Sequence, residues 1–116
     1  MGDLSNNFSR SEFKCPCGCG MDTVDAELLE WLQLLRDRFG PIYITSANRC
    51  EAYNESVGGA DDSQHKKSRA VDFVTYMADL SKVAAYCDQN FPDSGLGVYN
   101  SFIHLDSRNE KARWRG

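Results

Sequence analysis

The sequence predicts an α+β fold: a small, mostly antiparallel sheet with helices packed outside it. Three observations lead there. Val24, Leu28, Leu29, Leu32, Leu35 and Phe39 recur at the i, i+3, i+4 spacing of an amphipathic helix. Several short stretches instead alternate apolar and polar residues and carry β-branched side chains, the pattern of strands. Helical and extended stretches do not follow the βαβ rhythm that a parallel sheet requires. The 116 residues suffice for one hydrophobic core and leave no room for a second, so residues 1–116 are expected to form one domain.

Ser9 and Glu12 stand three apart in the form of a capping box, which predicts a short helical turn. Pro16, Gly18 and Gly20 exclude regular structure through C-P-C-G-C-G. Asp22 or Thr23 reads as the N-cap of the long helix. Acidic residues lie in its first turns and Arg36 and Arg38 near its end, which complements the helix dipole. Gly40-Pro41 stops it, and P-I-Y-I-T-S follows as a strand, with a turn at Ala47-Asn-Arg-Cys. Glu51 to Val57 predicts a short helix closed by Gly58-Gly59, and Ala60 to Lys67 a polar loop. Arg69 to Thr75 is the second strand. Asp79 or Ser81 caps a helix running through Lys82 to Gln89, which Asn90-Phe-Pro-Asp ends. Gly95 to Tyr99 and Ser101 to Asp106 form a hairpin around Asn100-Ser101. The tail E-K-A-R-W-R-G is polar except for Trp114 and predicts no element.

A net charge of -4 argues against sequence-independent nucleic-acid binding, which needs a basic face. No apolar run approaches the roughly 20 residues of a membrane span. The opening M-G-D-L-S-N-N-F-S-R lacks the basic-then-apolar pattern of a signal peptide, so synthesis in the cytoplasm is expected, with a separate device releasing the protein if its substrate lies outside. A monomer is expected. Of the five cysteines, Cys15, Cys17 and Cys19 cluster while Cys50 and Cys87 stand apart. Their C-x-C-x-C spacing is not that of a zinc ribbon. It reads first as a tight turn whose thiols pack as small hydrophobes. A structural metal, or a bridge to Cys50, is the alternative.

The chemistry gathers around the two histidines. His65 lies in S-Q-H-K-K-S-R-A-V-D, which ends on Asp72; His104 lies in F-I-H-L-D, which ends on Asp106. A single histidine on an apolar strand is more often a hydrogen-bonded core residue than a ligand. Here, however, strand alternation puts His104 and Asp106 on one face, and Asp72 sits between Val71 and Phe73 on another apolar strand. Unpartnered, these polar groups would carry a heavy desolvation cost that a metal relieves. Two imidazoles and a carboxylate leave one position of a tetrahedral zinc ion open to water, the arrangement of a catalytic site. One Zn2+ and a hydrolytic reaction are therefore expected.

S-Q-H-K-K-S-R-A-V-D also resembles the S-x-H-x-x-G-x-A-x-D motif of zinc D-alanyl-D-alanine carboxypeptidases and related phage L-alanyl-D-glutamate endopeptidases, which share a fold group with lysostaphin-type enzymes and the hedgehog domain. The resemblance extends over F-S-R-S-E-F, the long helix and first strand, R-C-E-A-Y-N-E-S-V-G-G, G-L-G-V-Y and F-I-H-L-D. It implies zinc held by His65, Asp72 and His104, and a peptidoglycan stem peptide as substrate. Arg49 matches the family arginine that meets the substrate carboxylate or developing oxyanion. Ser63 and Gln64 shape the loop, Ser63 through a bond to a ligand.

Two departures stand out. The motif's glycine is Ser68 here, which implies strain if that position needs positive φ. Many relatives carry a carboxylate three residues before the last ligand or a histidine two before it, whereas this chain has Ser101 and Phe102. Asp106 is then the candidate general base, or else the partner that holds the His104 ring. Two rivals follow: a non-catalytic wall-binding or partner-binding module with structural zinc, and a cysteine-centred metal or redox module.

Overall fold

The computed structural model describes residues 4–60 and 63–116. Strands β1 (Ile42–Ser46), β2 (Ala70–Thr75), β3 (Gly95–Val98), β4 (Ile103–Asp106) and β5 (Ala112–Arg115) form one sheet in the order β1-β2-β4-β3-β5. All neighbouring pairs are antiparallel except β3 and β5, which run parallel. Helices α1 (Ala26–Phe39), α2 (Glu51–Ser56) and α3 (Leu80–Asn90), with 3-10 turns at Arg10–Phe13 and Gln64–Lys67, complete the α+β fold expected from the sequence.

The sheet's two faces follow from strand alternation. Val71 pairs with Leu105 and Phe73 with Ile103 across β2 and β4, and Leu96 with Leu105 across β3 and β4. These residues share one face and join Leu28, Leu32 and Leu35 of α1 and Val83, Ala84 and Cys87 of α3 in one buried cluster. Fully burying each leucine or valine of that kind contributes about 1.5–3 kcal/mol. Trp31 of α1 stacks on Phe91 just beyond α3, with ring centroids 4.6 Å apart. The other face of the same strands carries Asp72, His104 and Asp106.

Local chemistry accounts for the element ends. The capping box at Ser9 is formed: the Glu12 carboxylate accepts the Ser9 N–H at 2.7 Å. Asp79 caps α3, its carboxylate accepting from Ser81 N–H at 3.0 Å. The long helix begins later than expected. Its cap is Asp25, not Asp22 or Thr23, and the Asp25 carboxylate accepts from Leu28 N–H at 3.2 Å and from the Ser107 hydroxyl at 2.8 Å. Thr23 is committed elsewhere, its hydroxyl 2.6 Å from that of Ser68 and its carbonyl accepting from Asn48 Nδ2 at 2.6 Å.

Two further expectations need correction. The tail is not irregular, because A-R-W-R forms the edge strand β5 beside β3. Charged residues suit an edge, and Arg113 donates to Asp88 Oδ1 at 2.7 Å and to the Ser94 carbonyl. The clustered cysteines do not pack as small hydrophobes either: Cys15 is buried, but Cys17 and Cys19 are exposed.

Candidate active site

Sheet register builds most of the site. Asp72 on β2 stands directly opposite His104 on β4, and Asp106 lies two residues further along the same face. On the other side of β4, Gly97 of β3 is the partner of His104 and Gly95 that of Asp106. The glycines leave room for what lies above them. A Cβ on Gly97 would come within 2.4 Å of Trp114 Nε1, and one on Gly95 within 2.3 Å of the Asp106 carboxylate.

His65 arrives from outside the sheet on the turn Gln64–Lys67. The Ser63 hydroxyl accepts its N–H at 3.2 Å, and Ser68 ends the turn in the left-handed region at φ 60. That is the conformation the motif's glycine would adopt freely, so the strain expected at Ser68 is present. At the far end of β1, a bulge between Ile44 and Ser46 bends the strand into the 47–50 turn. There the Ala47 carbonyl meets His65 Nδ1 at 2.6 Å, and Arg49 N–H donates to the His65 carbonyl at 3.1 Å.

These anchors aim the side chains at one point. His104 Nδ1 lies 2.9 Å and His65 Nε2 3.4 Å from the same Asp72 oxygen, Oδ1. One donor atom from each of the three residues falls within 4.8 Å of the others, and all three residues are buried. Arg49 Nη2 stands 3.7 Å from Asp72 Oδ2, while its Nη1 donates to Asn54 Oδ1 at 3.3 Å.

The proton inventory of this cluster is that of a cation site. His65 Nδ1 faces a carbonyl, so in the neutral ring it carries the proton and Nε2 presents a lone pair to Asp72. His104 lies between two carboxylates, Nε2 2.7 Å from Asp106 Oδ2 and Nδ1 2.9 Å from Asp72 Oδ1, so a neutral ring that keeps its proton toward the fully buried Asp106 turns the Nδ1 lone pair to Asp72. Two lone pairs against one carboxylate repel, unless the rings gain protons or a metal cation takes their place. Burial alone would push the Asp72 carboxyl up, but contacts with His104 and His65 outweigh it and hold it down at about 2. The same balance raises His104 above its ordinary value: burial lowers it, and Asp106 and Asp72 more than compensate. Neutral imidazoles and an ionised carboxylate are the forms that bind metal. His65, Asp72 and His104 fit the role.

Asp106 does not line the cavity onto which the other donors open. It is 0% exposed and lies behind the His104 ring, away from the cavity. Its oxygens accept from Arg108 Nε at 2.7 Å, Arg108 Nη2 at 2.8 Å and Gly95 N–H at 3.1 Å, besides facing His104. Of the two roles open to it from sequence, the geometry corresponds to the one that holds the ring. Despite burial, the Arg108 guanidinium and His104 keep its carboxyl well below the usual range.

The donors open onto a cavity of about 360 Å³. Ser63, Gln64 and Arg49 line it. So do Tyr99, Phe102, Arg108 and Trp114, to which the sequence assigned no role in the site. Trp114 comes from the tail strand; its ring lies 5.1 Å from that of His104 and its Nε1 donates to Tyr99 Oη at 2.8 Å. An isolated tryptophan in a polar tail was the one available hint.

With this geometry in view, comparison with known families matches residues 6–106 to Peptidase M15. The chain belongs to the Peptidase M15 family. Members of this family are metal-dependent peptidases, which agrees with the donor set of the M15 site described here. The match covers every donor and Arg49, and it stops short of Arg108 and Trp114. No curated protein matches the sequence.

Proposed function

We propose that this M15 chain is a zinc metallopeptidase that hydrolyses a peptide bond in the stem peptides of peptidoglycan, as a D,D-carboxypeptidase or an L-alanyl-D-glutamate-type endopeptidase acting at the bacterial cell wall. The observation that carries it is the convergence of His65, Asp72 and His104 on one point beside Arg49, at the floor of an open polar cavity. A zinc ion held there supplies Lewis acidity and lowers the pKa of a bound water to roughly 7. The chain's own residues do the rest. The Ala47 carbonyl and Asp106 orient the two imidazoles through the nitrogens that face away from Asp72. Arg49, always charged and forked, anchors a substrate carboxylate or stabilises the developing oxyanion, an interaction whose loss commonly costs about 10²–10³ in rate. Ser63 positions the His65 turn from within the cavity wall.

The test is to digest purified peptidoglycan with wild type, His65→Ala, Asp72→Ala and Arg49→Ala, following new amino termini and released D-alanine and identifying the products by mass spectrometry. The first two variants are expected to lose cleavage together with the zinc held by His65, Asp72 and His104, and Arg49→Ala to lose cleavage with that zinc retained. Full cleavage by a His65→Ala protein that has lost that zinc would sink the mechanism.

One observation favours a second reading, a wall-binding module with structural zinc. Among the described residues, no carboxylate or imidazole lines the cavity apart from His65, Asp72 and His104 themselves. Zinc-loaded protein that binds peptidoglycan and releases nothing would select that reading.

A further inference from the structure

A second group of metal-ligating side chains lies on residues that the His65, Asp72 and His104 site does not use. Cys15, Cys17 and Cys19 come from the loop after the first 3-10 turn, and Cys50 is the residue that caps α2. The four sulfurs all lie within 4.8 Å of one another. Cys17 Sγ is 3.4 Å from Cys15 Sγ and 3.4 Å from Cys50 Sγ, and all four thiols are free. Four sulfurs bound tetrahedrally at about 2.3 Å from zinc stand about 3.8 Å apart, so the cluster already has the size of such a site.

The backbone around it is shaped for convergence. Gly18 and Gly20 take φ 84 and φ 90, values that L side chains rarely adopt, and nothing lies within 4 Å of a Cβ placed at either. These glycines answer to the course of the chain and not to packing. They fold C-P-C-G-C-G back on itself, with Cys15 N–H donating to the Met21 carbonyl at 2.8 Å and Gly18 N–H to that of Cys15 at 3.3 Å. Backbone N–H groups also point at sulfur: Cys50 N–H at Cys15 Sγ and Tyr53 N–H at Cys50 Sγ, each at 3.4 Å. Such donors stabilise thiolates. Apolar packing does not explain the arrangement, because Cys17 and Cys19 are exposed, whereas Cys87, the one cysteine in the apolar core, lies outside the cluster.

We propose that Cys15, Cys17, Cys19 and Cys50 bind a second zinc ion in a closed tetrathiolate site. Thiolates select soft and borderline metals, a tetrahedral four-sulfur set suits zinc, and four protein ligands leave no position for water, so this site is structural. Its consequence reaches the first site. The metal ties the loop at 15–19 to Cys50, the residue next to Arg49, and so fixes the turn that aims Arg49 at Asp72. Asn48 reinforces the same junction, its Nδ2 donating to the Phe13 carbonyl at 2.7 Å.

The experiment measures zinc per chain in full-length protein purified under reducing conditions. Wild type is expected to hold about two equivalents and His104→Ala about one. The Cys17→Ser/Cys19→Ser variant, altered only at exposed positions, is also expected to hold about one. Cobalt loaded into wild type and into His104→Ala should show the near-ultraviolet charge-transfer absorption of sulfur ligation. A thiol-directed mercurial should abolish it, a measurement that needs no variant to fold. A single zinc that disappears with His104→Ala and survives in the cysteine variant would overturn the proposal. So would iron in place of zinc, or an intact mass showing these cysteines joined in disulfides. Because the two sites are scored by different variants, failure of the sulfur site leaves the His65, Asp72 and His104 reading untouched.

Discussion

Asp106 carries its charge wholly inside the protein, between the His104 ring on one side and the Arg108 guanidinium and Gly95 N–H on the other. A carboxylate so placed favours the proton on His104 Nε2, which turns Nδ1 to Asp72. The expected effect of Asp106→Asn is therefore a 10–100-fold weaker zinc affinity by competition against a chelator, with cleavage largely restored at saturating zinc. A base would behave otherwise: zinc affinity would hold while activity vanished at any zinc concentration. In the sequence, strand alternation puts Asp106 on the same face as His104, and the fold agrees. Which side of the ring it occupies is not legible there, because the answer lies in Arg108 and in the bare backbone of β3 at Gly95, neither fixed by spacing along the chain.

At the scale of the element, most boundaries are readable because local chemistry sets them. Ser9 with Glu12, Gly40 after Phe39 and Asp79 before Leu80 all act where the sequence suggests. The start of α1 differs from expectation because three residues there could each cap a helix, and tertiary partners choose among them. Thr23 is drawn to Ser68 and Asn48, which leaves Asp25 to cap the helix and to bind Ser107. Asp25→Ala should then lose the cap and the long-range bond together. A destabilisation of about 1–2 kcal/mol in urea unfolding is expected, at the upper part of the range for cap removal. A change below about 0.3 kcal/mol would mean that neither contact matters in solution. Strand β5 escapes sequence reading for a related reason: four residues with two arginines have no period long enough to read, and only an open edge of β3 turns them into a strand.

Across the whole molecule, the tail and the N-terminal loop complete what the sheet begins. Trp114 covers Gly97 and walls the cavity beside His104, while the Cys15 loop abuts the Arg49 turn. Ending the chain before Ala112 would bare the edge of β3 and remove that wall. A loss of at least about 2 kcal/mol in unfolding free energy is expected, together with a raised KM for muropeptides. An unchanged urea midpoint would show that β5 does not support the sheet. The amino-acid sequence by itself points to Asp72 and His104 as candidate donors, because few polar groups interrupt apolar strands without a task, and to His65 through the resemblance of its S-Q-H segment. It determines the α+β class as well, since periodicity is a local property of the chain. The tertiary structure decides what depends on approach between distant segments. It sets Asp106 behind the ring, brings Arg108 and Trp114 to the cavity, and draws four cysteine sulfurs to one point. Hydrogen-bond register and side-chain packing fix such meetings, and neither leaves a period in the sequence.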